Sequence, residues 1–449
     1  MKRSTITVLG ILVALLLFSE ISRAQEIITL DQAISVALEN NIGLKRAQNN
    51  ALIAKANKFQ ALMNYLPTLN AVANYDFFLG TFFDQNAARQ ISATTNSSNP
   101  RLDIGAVLFG GFANTYNLRQ QNAAELAAQS DIDGQNIFVK ASVLTSYLNV
   151  LIDKENIKIS EARIELLESQ FDREIKRESV GVGNMELVYN FRSQVANENL
   201  NRINFDNQYQ RDLLALVQIL QLDPSNQYDV ENYELSEGEV LLDIEPYEQI
   251  LAASLDFAPD LKRAEANNTA AIYQMKAAKA ARYPTVNFFA RIGSNYSSNG
   301  ALNPETGQFD PDASVWDQLE FNEFEYFNFS LNIPIFNRWQ TNTNIQVAKI
   351  NILNSELDMK QAYQDMTNTV QTVYLDLVSA QNTYQAAEEN LTALTQSFDF
   401  SNKRYETGNT DFFTYLESLN NKNRAELELN NAKYSIVFRN RILDILSGS

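Results

Sequence analysis

The chain has 449 residues, with 36 Lys and Arg against 54 Asp and Glu, a formal charge of −18, and neither cysteine nor histidine. So acidic a chain repels nucleic acid. Without thiols or imidazoles there are no disulfides, no thiol nucleophiles, no imidazole general bases and none of the usual zinc sites, so catalysis by carboxylates is the one enzyme class left to weigh.

Residues 1–24 read as a secretory signal peptide. Lys2 and Arg3 are followed by an apolar run from Thr5 to Phe18 and by the small-residue cleavage site Ser22-Arg23-Ala24. No cysteine follows the run, so no lipoprotein anchor is expected. Beyond Ala24 nothing approaches the ~20 apolar residues of a membrane-spanning helix, which leaves an exported soluble protein or a β-barrel.

The remaining chain is one unit written twice. Leu44-Lys45-Arg46-Ala47 aligns with Leu261-Lys262-Arg263-Ala264, and Pro67 with Pro284 without a gap. Phe109 then aligns with Phe336, Tyr147 with Tyr374, Phe171 with Phe398 and Gly181 with Gly408. The growth in offset between these blocks places an insertion around Asn299 to Trp316. We read residues 25–222 as the first repeat, the acidic, turn-rich 223–245 as a linker, and 246–449 as the second repeat.

Each repeat is expected to open with a helix, from about Leu30 or Pro246, that ends at Pro67 or Pro284, where a missing N–H and a locked φ stop it. Strict alternation follows. Leu69, Tyr75 and Phe77 face one side and Asn70, Asn74 and Asp76 the other; a returning strand sets Leu102, Ile104 and Leu108 against Arg101 and Asp103. The second repeat gives Val286, Phe288 and Ile292 against Asn287 and Arg291, then Phe327, Phe329 and Leu331 against Asn328 and Ser330. Four segments of about ten residues, apolar outward and polar inward, suit barrel strands in a bilayer. The links between them, 80–100 and 296–323, read as long polar loops on one side. The second invites a calcium reading, but an EF-hand starting at Asp310 needs glycine sixth and glutamate twelfth, where Val315 and Phe321 stand; no metal is expected.

Long helices come next, to about Ser179 and Thr407. Val370, Leu377, Tyr384, Leu391, Phe398 and Tyr405 recur every seven residues, as do the aligned Val143, Val150, Ile157, Ile164 and Phe171. Such a period makes a seam against another helix. A second row, Ile152, Ile159 and Leu166, lies on the opposite flank, as in a curved wall of helices. The glycines of "SVGVGNMELV" and "TGNTDFFTYL" suit left-handed helix ends, with Asn184 or Thr410 capping the returning helix. Without a preceding strand and a third glycine, "GVG" is a helical hairpin tip and not a dinucleotide loop.

Four strands cannot close a barrel, and open edges leave backbone groups unpaired in hydrocarbon. Two copies give eight strands filled by side chains and three give twelve around water; polar inward residues favour the wet lumen.

Signal peptide, tandem halves, Pro-Thr-x-Asn strand entries, "FGG" after the second strand and the "VGVGN" and "TGNTD" tips resemble the TolC family of outer-membrane efflux proteins, over essentially the whole mature chain. The resemblance implies a mixed α and β fold, mainly long helices forming a helical barrel, with four transmembrane strands per protomer completing a twelve-stranded barrel in a homotrimer. It places the protein in the outer membrane of a Gram-negative bacterium, extending into the periplasm, with the linker in an equatorial region. It implies a passive exit duct for an efflux pump or type I secretion system, joined through a periplasmic adaptor to an inner-membrane transporter, with no enzyme activity and no cofactor. The family often lines its periplasmic mouth with two aspartates. Their places here hold Thr414 and Glu417, so Glu417 with Asp411 is left to form the gate. Val180, Gly181, Gly183, Thr407 and Gly408 match its adaptor-contact tips.

Two other classes compete. A cell-surface carboxylate hydrolase using Asp310 and Glu320 predicts activity in the purified protein; a periplasmic coiled-coil protein without a pore predicts release by salt wash and no conductance.

Overall fold

A computed structural model describes residues 26–84, 88–232, 244–303 and 305–448. The expected signal peptide and the middle of the expected linker lie outside them. In chain order the first half runs β1 (Glu26–Ile28), α1 (Leu30–Asn40), α2 (Ile42–Met63), β2 (Thr68–Val72), β3 (Tyr75–Asp84), β4 (Arg89–Ser98), β5 (Arg101–Gly110), α3 (Ala113–Ser179) and α4 (Met185–Leu220). β6 (Tyr228–Val230) lies in the joining segment. The second half runs α5 (Tyr247–Phe257), α6 (Pro259–Ala280), β7 (Thr285–Gly293), β8 (Tyr296–Ser297), β9 (Ala301–Leu302), β10 (Phe309–Asp310), α7 (Val315–Phe321), β11 (Phe324–Asn332), α8 (Gln340–Glu406) and α9 (Phe412–Ser447).

The helices of the two halves match in length. α1 and α5 have 11 residues, α2 and α6 have 22, α3 and α8 have 67, and α4 and α9 have 36. At 1.5 Å per residue, α3 and α8 are each about 100 Å long. No helix among the described residues is long and apolar enough to cross a membrane.

The opening helix of each half is in fact two. Asn41 breaks the first, its Oδ1 accepting from Leu44 N at 2.9 Å, and Pro259 starts the second helix of the other half, where its missing N–H costs nothing. α1 is also closed by a reciprocal cap between Thr29 and Gln32.

The chain divides into two compact units. The helical unit holds the residues up to Gln48, Asp131–Leu261 and Ala362 onward; the sheet-bearing unit holds Asn49–Ser130 and Lys262–Gln361. The helical unit buries Val143, Val150, Leu216, Leu220, Val370, Leu377 and Ile436 in one apolar cluster, each worth roughly 1.5–3 kcal/mol relative to exposure. Strand β1 pairs parallel with β6. Tyr147 Oη donates to Ile28 O at 3.0 Å, while Lys154 Nζ meets Asp229 at 2.9 Å, so side chains of α3 pin both strands to the helices.

In the sheet-bearing unit one four-stranded antiparallel sheet has the order β11–β7–β5–β2. The two repeats meet at β5 and β7, and β11 and β2 are left as edges. Cross-strand register sorts its residues. Leu69 lies opposite Ile104, Leu102 opposite Ile292, Phe329 opposite Phe288 and Leu331 opposite Val286, all on one face, with Phe327 opposite Ala290. Asn70, Asp103, Arg291, Asn287, Asn328 and Ser330 occupy the other.

Three expectations are corrected here. Tyr75 and Phe77 do not continue β2; a break at 73–74 puts them on β3, in a separate sheet of order β3–β4–β8. The segment 80–100 is largely a β-hairpin and not a loop, with Tyr75 opposite Ser98 and Asp84 opposite Arg89. Leu108 falls at a register shift between Val107 and Phe109, so Phe109 and not Leu108 takes the place opposite Val286. The other link, 296–323, holds β8, β9, β10 and α7. Gln318 ties it down, accepting from Ser297 N at 2.9 Å and donating to Ser297 O and Ala313 O at 3.0 Å.

Candidate functional site

The polar face of the four-stranded sheet carries an ion cluster. Arg291 Nε donates to Asp103 Oδ1 at 2.6 Å and Nη2 to Oδ2 at 3.2 Å, while Arg101 Nε reaches Oδ2 at 3.4 Å. Arg291 also lies over the Phe289 ring at 5.1 Å. A paired carboxylate on this face, opposite a face of Leu, Ile and Phe, marks the wet side of the sheet. The apolar face is bare: Leu69 is 64 % exposed and Phe329 69 %.

The hairpin tips lie in the helical unit, and both are built alike. After α3, Gly181 N donates to Glu178 O and Val182 N to Arg177 O; after α8, Gly408 N donates to Tyr405 O and Asn409 N to Arg404 O. That double bond is the left-handed helix stop expected of Gly181 and Gly408, whose φ angles are 81° and 75°. Gly183 is obligatory for a different reason, since a Cβ there would lie 2.3 Å from Glu178 N. Val180, Gly181, Gly183, Thr407 and Gly408 are all exposed.

Asn184 caps α4, accepting from Glu186 N. Its aligned residue Asp411, and not Thr410, caps α9. Asp411 Oδ1 accepts from the backbone N–H of Phe413 and Thr414, and Oδ2 from Thr414 Oγ1 at 2.8 Å. Those bonds, Thr414's foremost, hold the Asp411 carboxyl below the usual range. Asp411, Thr414 and Glu417 are exposed and follow one another at three-residue steps, about 60° apart around α9. They form one stripe beside the buried face of Phe412, Tyr415 and Leu419.

Behind the tips lies an aromatic cluster of Phe191, Phe398, Tyr405, Phe412 and Tyr415 with Leu167 and Leu419. Phe191 meets Phe412 edge-on at 4.8 Å. Polar groups are buried beside it, and the heptad reading missed them. Val143 and Val150 are buried as expected, but Ile157, Ile164 and Phe171 are half-buried, as are Ile152, Ile159 and Leu166. The buried row of α3 is instead Ser146, Asp153, Ser160, Leu167 and Glu174. Ser160 Oγ donates to Glu198 Oε1 at 2.9 Å, and Arg163 pairs with Glu198 at 3.0 Å and donates to Asn420. Gln170 Oε1, Glu174 Oε2 and Tyr415 Oη are buried without a partner among the described residues. Each such atom costs about 1–3 kcal/mol, so the tip is held less firmly than the apolar core.

Asp310 and Glu320 are exposed on β10 and α7. Asp310 Oδ1 accepts from Asp312 N at 3.0 Å, closing a turn. No group of three or more Asp or Glu among the described residues is placed to hold a metal.

Residues 33–221 and 250–449 match the family model described as outer membrane efflux protein. The chain is 22 % identical over 434 residues to the outer membrane protein TolC of Escherichia coli K12, covering 93 % of this chain and 81 % of that one. It shares its fold with VceC of Vibrio cholerae (TM-score 0.77, 15 % identity, 94 % and 96 % of the two chains). It also shares it with the open state of MtrE of Neisseria gonorrhoeae (TM-score 0.74, 17 % identity, 94 % and 89 %). With matched repeats, a two-faced sheet and paired hairpin tips, this chain belongs to the outer membrane efflux protein family, channels of the Gram-negative outer membrane that reach into the periplasm.

Proposed function

We propose that the protein is the passive exit duct of an export machine, built from three copies and without chemistry of its own. The observation that supports this most is the pair of open edges, β11 and β2, on a sheet whose one face is apolar and bare. Unpaired backbone groups in hydrocarbon cost several kcal/mol each, so β11 of one copy must find β2 of the next. Three copies supply twelve strands, with Asp103, Arg101 and Arg291 toward the water-filled lumen. Residues 25–222 and 246–449 then serve as alternating staves of one tube, the long helices lining a periplasmic tunnel and 223–245 belting it.

The exposed tips at Val180, Gly181, Gly183, Thr407 and Gly408 meet a periplasmic adaptor, which brings in the inner-membrane transporter. An efflux pump is favoured over a type I secretion system by the family description. The stripe of Asp411, Thr414 and Glu417 faces the axis, where Glu417 rings the mouth and prefers cations. The exposed placement of Asp310 and Glu320 offers no cleft for hydrolysis.

Planar-bilayer recording tests this. The purified protein should conduct; Glu417→Ala should raise single-channel conductance and weaken block by divalent cations. A protein that does not conduct sinks the duct, and a variant unchanged in both readouts removes Glu417 from the gate.

A further inference from the structure

Between the sheet and the long helices the chain makes the same uncommon turn twice. Gly111 and Phe112 have φ of 61° and 67°; the aligned Arg338 and Trp339 have 54° and 66°. Two successive left-handed residues, three of the four not glycine, are strained and persist only where their surroundings hold them. Both turns are held. Phe112 O and Trp339 O accept the first helical bonds, from Tyr116 N and Thr343 N at 3.0 Å. The preceding helices are tied on by equivalent bonds: Tyr65 Oη to Thr115 Oγ1 at 3.0 Å, and Arg282 Nη2 to Asn342 Oδ1 at 2.6 Å.

What each turn presents is an aromatic ring in the open. Phe112 and Trp339 are both 61 % exposed. The equality decides what covers them. In the first half the neighbouring repeat is already in place, with Ala280 O and Tyr283 crowding Gly111, and Phe112 is still exposed. A neighbouring copy set against the second half in the same way leaves Trp339 equally bare. Phe112 also meets Phe109 edge-on at 5.6 Å, and Phe109 lies on the apolar face opposite Val286. The rings therefore continue the apolar face of the sheet at its helix-side end.

We propose that Phe112 and Trp339 are a built membrane anchor, seated in the boundary between headgroups and acyl chains of phospholipids in the periplasmic leaflet. This rests on the barrel reading above. Amphipathic rings gain most at that depth, where the indole body is apolar and its N–H stays wet. Two stations per chain, repeated around the ring, fix how deep the barrel rides where no lipid-modified cysteine can.

The chain contains two tryptophans, Trp316 and Trp339. Trp316, 79 % exposed on α7, lies at the other end of the strands. Full-length Trp316→Phe protein, reconstituted in phosphatidylethanolamine–phosphatidylglycerol vesicles, reports on Trp339 alone. Shallow-brominated phospholipid should quench its emission at least about twofold, and more than deep-brominated lipid, while iodide has little effect. Moving the probe, with Phe112→Trp in a chain lacking both native tryptophans, should give the same depth. Quenching by iodide and not by bromolipid overturns the anchor, as does protection from both, which would put protein over the ring. Conductance in the same vesicles separates the readings: conducting protein without bromolipid quenching refutes the anchor alone, and silent protein refutes the duct.

Discussion

Tyr405 of α8 donates its hydroxyl to Glu174 of α3 at 3.4 Å, and its ring stacks on Tyr415 of α9 with centroids 4.8 Å apart. Burial, with Glu174 beside it, pushes the Tyr405 phenol up, so it stays a donor through the neutral range. Tyr405→Phe keeps the stack and removes the proton donor from a fully buried carboxylate. The expected loss is about 1–3 kcal/mol, read as faster amide exchange across the 405–415 tip; unchanged exchange would show the bond to be idle.

Phe191 is fully buried and touches Phe412, Tyr405 and Tyr415. Phe191→Ala should cost about 3–5 kcal/mol. The exposed Phe413→Ala should stay within about 0.5 kcal/mol of wild type. Thermal unfolding in detergent compares the two, and equal effects would contradict the placement of the cluster.

Burial pushes the Asp153 carboxyl up to about 7, the neighbouring Asp212 of α4 adding to the shift and Arg211 opposing it. An unfolded aspartate titrates near ~3.9. The folded chain therefore keeps a proton that the unfolded chain releases, so this stability is fully present below about pH 4 and is lost as pH rises toward 7. Asp153→Asn should flatten that fall and add on the order of 2–4 kcal/mol at pH 8. Parallel pH profiles for variant and wild type would show that Asp153 does not titrate this way.

At Gly111 a Cβ would lie 2.7 Å from Ala280 O, and φ is positive. Gly111→Ala should destabilise by more than about 1 kcal/mol. Arg338→Gly, at the aligned station, should be neutral or stabilising by a few tenths of a kcal/mol, because it relieves strain. Denaturant midpoints decide; the reverse order would mean that the two turns are not equivalent.

Much of this fold is legible in the sequence because it is written twice: prolines at 67 and 284 and glycines at 181 and 408 mark ends that the structure keeps at aligned positions. What was hidden has local causes. A two-residue step at Asn41 or Pro259 is too short to disturb a helical period, so one helix was read where there are two. The β3–β4 hairpin pairs Phe77 with Asn96 and Leu79 with Thr94, and a strand of Thr, Asn and Ser shows no apolar alternation. The buried row of α3 is polar because Glu198, Tyr405 and Asp212 answer it from other helices, and no pattern within α3 announces them. Asp411 was passed over for Thr410 by one residue, although it aligns with Asn184. At the gate, the exposed stripe of Glu417 is visible on one chain; its meaning depends on the copies around it.

The mass of the detergent-extracted protein, measured together with exchange at β11 and β2, bears most directly on the incomplete sheet. The account predicts an assembly of three chains, each 50.7 kDa before loss of a leader, with Phe324–Asn332 and Thr68–Val72 protected from exchange. A folded single chain with both edges protected would contradict it.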